Sequence, residues 1–309
     1  MNMVLAKELG EHGLGLYMSI LPTVFLIVLL SSFELPISIS KFIAEKDEKY
    51  HLSMLQSAFR LTIVITAVFL LVLTFLLPVI PLFQQYHPLF KWLVIILIPL
   101  VTFTAIARGY FMGKHQMGKI AMANFMRKFV QLGLLVFLFQ LFDFQGDTAI
   151  LIAFAAFVGS EFVIFLYLLH MFYLQYGQLK RRPLERMKGK VVRKNLMAVS
   201  IPTTSIRVFH SFTHAVQPFI IKAALIKSGL PAHAATEQFG LLAGVAMTIG
   251  FFPAFIAHSL LVVLIPTVSK AYANKDGTEL HNLLKKIVQI TMWYGIPVSI
   301  VLYVLAGPL

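Results

Sequence analysis

Residues 21–47 read LPTVFLIVLLSSFELPISISKFIAEKD, and residues 252–276 read FPAFIAHSLLVVLIPTVSKAYANKD. Each is a long apolar run with a proline near its start, a second proline near its end, and a serine-lysine pair closing it. In the first copy Pro22 and Pro36 precede Ser40-Lys41, Ala44 and Lys46-Asp47. In the second, Pro253 and Pro266 precede Ser269-Lys270, Ala273 and Lys275-Asp276. The proline pairs are 14 and 13 residues apart, and S-K-x-x-A-x-K-D recurs at an offset of 229. Apolar stretches of about 20 residues match the hydrocarbon thickness of a bilayer and exceed any buried strand. A pattern that keeps both prolines and the helix end marks two copies of one structural unit.

Outward from these copies the same test places eight spans: Leu14–Ile39, Phe59–Ile80, Phe90–Met112, Ile120–Phe142, Ala149–Tyr173, Leu196–Leu225, Phe239–Val268 and Leu283–Leu305. Segments of about ten alternating residues, the mark of a membrane β-barrel, are missing. The expected fold is therefore an all-α polytopic membrane protein. The two copies lie six spans apart, an even number, so they run in the same direction and belong to parallel six-helix repeats about an axis along the membrane normal. Completing that scheme calls for one helix before the first span and three after the last. The chain is thus expected to be a fragment of a two-lobe exporter of 12–14 helices. Residues 1–177 would form most of a first lobe, 178–195 a basic cytoplasmic bridge, and 196–309 the start of a second lobe.

Composition agrees. Hydrophobic residues make up 59% of the chain and charged ones 13%, against about 25% charged in a soluble domain. A soluble enzyme and a disordered chain are both excluded. There is no cysteine, hence no disulfide framework and no thiolate metal site. The net charge of +13 would suggest nucleic acid in a soluble protein, but its distribution argues otherwise. Of 26 Lys and Arg, the four loops on one side carry four, five, eight and four, against four on the other side; Arg207 lies within a span. The positive-inside rule makes the basic side cytoplasmic, so the charge reads as topology and contact with anionic lipids, not nucleic acid. The localisation expected is the bacterial cell membrane, multi-pass.

No Walker loop, dinucleotide fingerprint or nucleophile elbow is present. No cofactor is expected, and any active transport would draw on H+ or Na+. Ionisable groups inside spans are costly and mark functional sites. Thr203, Arg207, His210, His214 and Gln217 follow one another at intervals of 4, 3, 4 and 3, which at 100° per residue puts them on one stripe. That stripe faces either a substrate cavity or a polar seam with another helix. Arg207 has the planar fork suited to a diphosphate. His210 and His214 also make half a metal site, but no third ligand is near in sequence, so no metal is expected there. Glu34 and Glu161 are ion or proton candidates; the other reading pairs Glu34 with an Arg or Lys and makes Glu161 a hydrogen-bonding anchor. Arg108 and Lys114 flank a G-Y-F-M-G turn, where they either meet a substrate head group on the cytoplasmic side or anchor the helix end.

Three of these stretches together resemble a known family. Gly13–Glu45 is similar to the second helix of stage V sporulation protein B and its polysaccharide-exporter relatives. Arg108–Gly113 (RGYFMG) with Met117 resembles their fourth-helix end, and Phe252–Lys270 their eighth helix. These proteins belong to the multidrug/oligosaccharidyl-lipid/polysaccharide exporter superfamily, which includes the lipid II flippases. The resemblance implies alternating access that moves a lipid-linked, polyprenyl-diphosphate cell-wall glycan precursor, in sporulation or peptidoglycan synthesis. Its departures are specific: Glu34 stands where the relatives usually have Gly, and Arg127 and Gln131 stand where the relatives commonly place an acidic residue and later an Arg on their fifth helix. The charged positions of the lipid II flippases fall on Gly13, Leu26 and Thr248. A cation-coupled multidrug exporter of the same fold is the alternative, and an enzyme acting on lipid-linked sugars, with Asp143 and Asp147, the third reading.

Overall fold

The computed structural model describes residues 1–142, 144–180, 185, 187–251 and 277–305. The second copy of the repeat, residues 252–276, lies outside them. All regular elements among the described residues are helical: α1 (Asn2–Ser32), α2 (Leu35–Glu45), α3 (Glu48–Leu76), a 3-10 turn (Pro81–Gln85), α4 (Leu89–Gly113), α5 (Met117–Leu141), α6 (Gly146–Lys180), α7 (Gly189–Lys227), α8 (Ala232–Gly240), a π-helical stretch (Leu241–Ala246), α9 (Met247–Phe251) and α10 (Gly277–Leu305). They fall into two compact units, residues 1–241 and 242–309.

Six helices among the described residues are long and apolar enough to cross a membrane: α1, α3, α4, α5, α6 and α10. They overlap six of the eight expected spans. The seventh, α7, is 39 residues long, which at about 1.5 Å per residue is ample for a bilayer. Its polar stripe keeps it below the hydropathy of the others. Most of the eighth, Phe239–Val268, lies outside the described residues.

The span expected over Leu14–Ile39 is not one helix but two. In a continuous helix Pro36 would have no N–H to donate, and its ring would collide with the Ser32 carbonyl. The chain instead leaves the helix at Ser32, passes through Phe33 (φ 49°) and Glu34 (φ 46°) in the left-handed region, and restarts with Pro36 in the first turn of α2. There a proline costs nothing, because first-turn N–H groups have no helical partner. Pro22, Pro99, Pro202 and Pro218 all stay inside their helices, whereas the helix is interrupted just before Pro36. α6 extends to Lys180 and α7 begins at Gly189.

In the first unit α6 is the central span and the most buried, with α4, α5 and α1 against it. One core gathers Leu35, Ile39 and Ile43 of α2, Ile106 and Phe111 of α4, Ile164 and Leu168 of α6, and Val192 and Leu196 of α7. The RGYFMG motif explains its own glycines here. A Cβ on Gly109 would sit 2.8 Å from Ile39 Cβ and 2.9 Å from the Pro36 carbonyl, and one on Gly113 would sit 2.5 Å from Ile43 Cβ. The pair is a small-xxx-small seam that lets α4 lie directly on α2. At the other end Phe90 stacks on Phe154 (4.3 Å) and Tyr86 (5.2 Å), and the Tyr86 hydroxyl donates to the Leu16 carbonyl at 2.9 Å. Outward-facing Phe75, Val79 and Phe129 are exposed, which in a bilayer means contact with lipid tails.

Three of the four loops assigned to one face by their charges meet among the described residues. The Glu185 amide donates to the Lys49 carbonyl at 3.2 Å, and Lys49 Nζ lies 2.9 Å from Glu185 Oε1. The Met187 amide donates to Ser53 Oγ at 3.1 Å, and Gln175 at the end of α6 donates to Gln116 in the α4–α5 turn at 2.9 Å.

Candidate functional site

The α1–α2 break presents Glu34 as the residue preceding α2. Its side chain is buried, and its carboxylate accepts a hydrogen bond from Arg207 Nη1 of α7 at 3.2 Å. Two groups singled out separately in the sequence, 173 residues apart, thus form one ion pair across a helix interruption. The Arg207 side chain is 60% exposed, so its guanidinium still has free directions. One turn deeper, Ser200 Oγ donates to Ser38 Oγ at 2.9 Å, both fully buried. Beyond that lies a polar pocket of about 320 Å³ between α2 and α7, lined by Lys41, Glu45, Lys46 and Asn195 among others. Lys41 and Lys46 are the two lysines of the repeated S-K-x-x-A-x-K-D pattern.

The rest of the α7 stripe runs away from this junction. Thr203 is half-buried, its hydroxyl donating to the Val199 carbonyl at 2.8 Å. His210 and His214 are exposed, with rings 4.5 Å apart edge to face, and Gln217 is half-buried. The buried positions Val192, Leu196, Ser200 and Thr204 recur every fourth residue on a face that, at 100° per residue, overlaps the stripe and continues beside it.

A second polar cluster joins α4, α5 and α6. Arg127 Nη1 donates to Glu161 Oε1 at 2.9 Å, and Glu161 is buried. Arg108 Nη1 donates to Asn124 Oδ1 at 3.2 Å. Gln131 is buried with its Oε1 unpartnered, as is the Arg127 Nε. Arg127 stands ten positions into α5, roughly 15 Å along the helix, within the span expected over Ile120–Phe142 and almost three turns from the loop with which its charge was counted. Arg108, Arg127 and Lys128 set three positive charges against Glu161, so the cluster carries a surplus of cations.

Lys114, at the other end of the G-Y-F-M-G turn, is drawn to Glu48 at the start of α3; partial burial holds its ammonium below the ordinary lysine value. Glu185 on the same face is held below the usual carboxylate range by hydrogen bonds from Tyr50 and Lys49. On the flank of α3 and α6, a groove of about 430 Å³ is lined by Leu55, Phe59, Ile106, Phe172 and Tyr173, with Arg60 and Gln56 also on its wall.

Residues 1–272 match the family described as polysaccharide biosynthesis protein. The chain belongs to that family. It is 52% identical over 308 residues to sporulation protein YkvU of Bacillus subtilis (strain 168), covering all of this chain and 69% of that protein. It is 30% identical over 324 residues to stage V sporulation protein B of the same strain, covering all of this chain and 61% of the relative. Among solved structures, the inward-facing conformation of a multidrug resistance MATE family transporter of the MOP superfamily superposes with a TM-score of 0.73. That likeness covers 99% of this chain and 69% of the other at 14% identity, which speaks to the fold alone. This polysaccharide-biosynthesis protein is accordingly a multi-pass membrane protein with an exporter fold.

Among the site residues, sequence reasoning found both halves of the Glu34–Arg207 pair but not their meeting. It found Glu161 but passed over Asn124, and it placed Arg127 within a span while counting its charge with the neighbouring loop. The signal was there: Arg127-Lys128 sits within an apolar stretch, and charges in such a place demand a partner.

Proposed function

We propose that the protein is a flippase that moves a polyprenyl-diphosphate-linked cell-wall glycan precursor across the membrane by alternating access, in peptidoglycan synthesis or sporulation. The observation that carries this reading is the Glu34–Arg207 pair at the α1–α2 break. An arriving diphosphate competes with Glu34 for the Arg207 guanidinium, since both offer oxygens matched to its fork. Exchange of partners releases α2 from α7 at a place where the backbone already departs from helix. Lys41 and Lys46 border the pocket from which such a head group would approach. Thr203, His210, His214 and Gln217 then continue the polar path along α7. Arg108 and Lys114 meet the head group on the cytoplasmic side by exchanging Asn124 and Glu48. Glu161, paired with Arg127, and Glu34 are the groups through which H+ or Na+ would couple. Basic loops hold the protein against anionic lipids. The substrate crosses unchanged, so the reading assigns no catalytic residue.

Membership of the polysaccharide-biosynthesis family and likeness to stage V sporulation protein B support a glycan cargo. The test uses the full-length gene in its own host, with a membrane-impermeant enzyme that acts on the lipid-linked precursor at the outer leaflet. Deletion, and Arg207→Ala at normal expression, are expected to leave precursor present but inaccessible. Unchanged exposure on deletion, in a strain without a redundant flippase, would sink the reading. Protection of growth against cationic drugs in that strain would favour the multidrug exporter instead.

A further inference from the structure

His12 of α1 and His233 of α8 lie with their imidazoles stacked, ring centroids 3.8 Å apart and planes within 4°. Glu237 follows His233 by one helical turn, and its Oε1 is 3.3 Å from His233 Nδ1. One ligand atom from each of the three falls within 4.8 Å of the others. The Nδ1 of His12 is buried and has no hydrogen-bond partner. An unpartnered buried ring nitrogen is uncommon, because such a group forfeits its contact with water for nothing. Ring-nitrogen lone pairs lie in the ring plane, so the parallel stack does not converge on one point as it stands; turning one imidazole about its Cβ–Cγ bond would aim both rings at a common point beside Glu237.

The scaffold beneath the three side chains is tight. Gly15, one turn after His12, abuts the Thr236 carbonyl, and a Cβ on Gly240 would sit 2.5 Å from the Gly15 nitrogen. Thr236 itself is buried between His233 and Glu237 in sequence. The α1–α8 crossing therefore holds the three ligands on helices in direct backbone contact, which limits how far they can move apart. Gly10, with φ 67° and ψ 175°, kinks α1 two residues before His12; a left-handed turn there favours glycine.

We infer that His12, His233 and Glu237 form a transition-metal site of the Zn2+ type that staples α8 to α1. Two imidazoles and one carboxylate are a ligand set Zn2+ takes up, leaving a fourth position for water. Mg2+ and Ca2+ prefer all-oxygen shells and are poorly served by two ring nitrogens. The site lies at the end of α1 remote from the basic loops, on the face that the charge distribution makes external. It is separate from the Glu34–Arg207 junction and independent of the flippase reading. The His210–His214 pair on α7 is a built-in control: it too is an i, i+4 pair, but no carboxylate joins it among the groups of potential ligands found in the described residues.

The test uses the full-length protein in lipid nanodiscs after EDTA treatment. ZnCl2 is titrated calorimetrically, and CoCl2 is added in parallel for its visible absorption, which reports nitrogen and oxygen ligands. Saturable Zn2+ binding with a raised melting temperature is expected, weakened at least tenfold by His233→Ala and by Glu237→Gln. The double variant His210→Ala/His214→Ala should leave it unchanged, and MgCl2 or CaCl2 should not compete. If His233→Ala proves poorly folded, Glu237→Gln decides alone, provided its elution from size exclusion matches the parent. Absence of saturable binding, binding indifferent to both variants, or binding lost only with His210 and His214 overturns the inference.

Discussion

Glu34 makes two opposed contributions, and separating them tests the description of the helix break. At φ 46° and ψ 30° it occupies the left-handed region, which costs a residue bearing a Cβ about 1–2 kcal/mol. Glycine would avoid that cost. Against this stands the pair with Arg207. Two unit charges 3.2 Å apart attract by ~5 kcal/mol at an effective dielectric of about 20. The Arg207 side chain is 60% exposed, so screening and side-chain ordering reduce the net coupling to about 1–3 kcal/mol. Glu34→Gly in the parent protein is therefore expected to be near neutral or destabilising by up to about 2 kcal/mol, as the backbone gain offsets part of the lost pair. In an Arg207→Ala background the sign reverses. The pair is already gone, the lone buried carboxylate is itself a burden, and Glu34→Gly then stabilises by about 1 kcal/mol or more. The assay is a double-mutant cycle on thermal unfolding in mild detergent, read by loss of the monodisperse peak in size exclusion. Equal effects of Glu34→Gly in both backgrounds would refute the coupling. Destabilisation in both would refute the backbone argument as well.

Three further outcomes are expected. Gly109→Val and Gly113→Val should each cost about 1–3 kcal/mol by overpacking the α2–α4 seam, whereas Gly133→Ala, with nothing within 4 Å of its added Cβ, should be neutral or stabilising; melting temperatures in the same detergent distinguish them. Glu161→Ala should lower stability by about 3 kcal/mol, because it strands Arg127 in the membrane interior beside Arg108. The loss should shrink when Arg127→Met is combined with it, as denaturant titration would show. Glu185 has a lowered pKa, so its pairing with Lys49 and Tyr50 contributes fully above the ordinary value of 4.5 and is lost as pH falls through the lowered one. Hydrogen exchange of the Glu185 amide, corrected for intrinsic rate, should accelerate on acidification through that range and stay flat above it. An amide indifferent to pH there would mean that the ion pair does not hold the segment to α3.

Much of the architecture is legible without coordinates because a bilayer imposes its constraint locally. Each span must be apolar over its own length, so Phe90–Met112 or Ala149–Tyr173 can be read from the stretch alone, and α4 and α6 lie where those readings put them. The glycines of RGYFMG and the cluster of basic residues on one set of loops carry information of the same local kind. The break at Phe33–Glu34 was only half visible: Pro36 warns of an interruption, but Pro22, Pro99, Pro202 and Pro218 give the same warning and their helices continue. What the tertiary structure adds at Pro36 is a side-chain partner for each of two residues beside the break, Arg207 for Glu34 and Ser200 for Ser38, both from a helix far along the chain.

The candidate sites divide along the same line. By itself the sequence identified which ionisable residues lie in spans, since cost in lipid depends on residue type and depth. It could not pair them. Glu34 with Arg207, Glu161 with Arg127, and His12 with His233 and Glu237 are each brought together by the crossing of helices whose mutual rotation is set by side-chain packing over many turns. That packing sums small contacts from the whole unit, and no single stretch of sequence contains it. Composition and periodicity determined that this chain is a bundle of membrane helices; the tertiary structure alone decided which charges neutralise one another and which, like the cations around Glu161 and the exposed fork of Arg207, are left to meet something else.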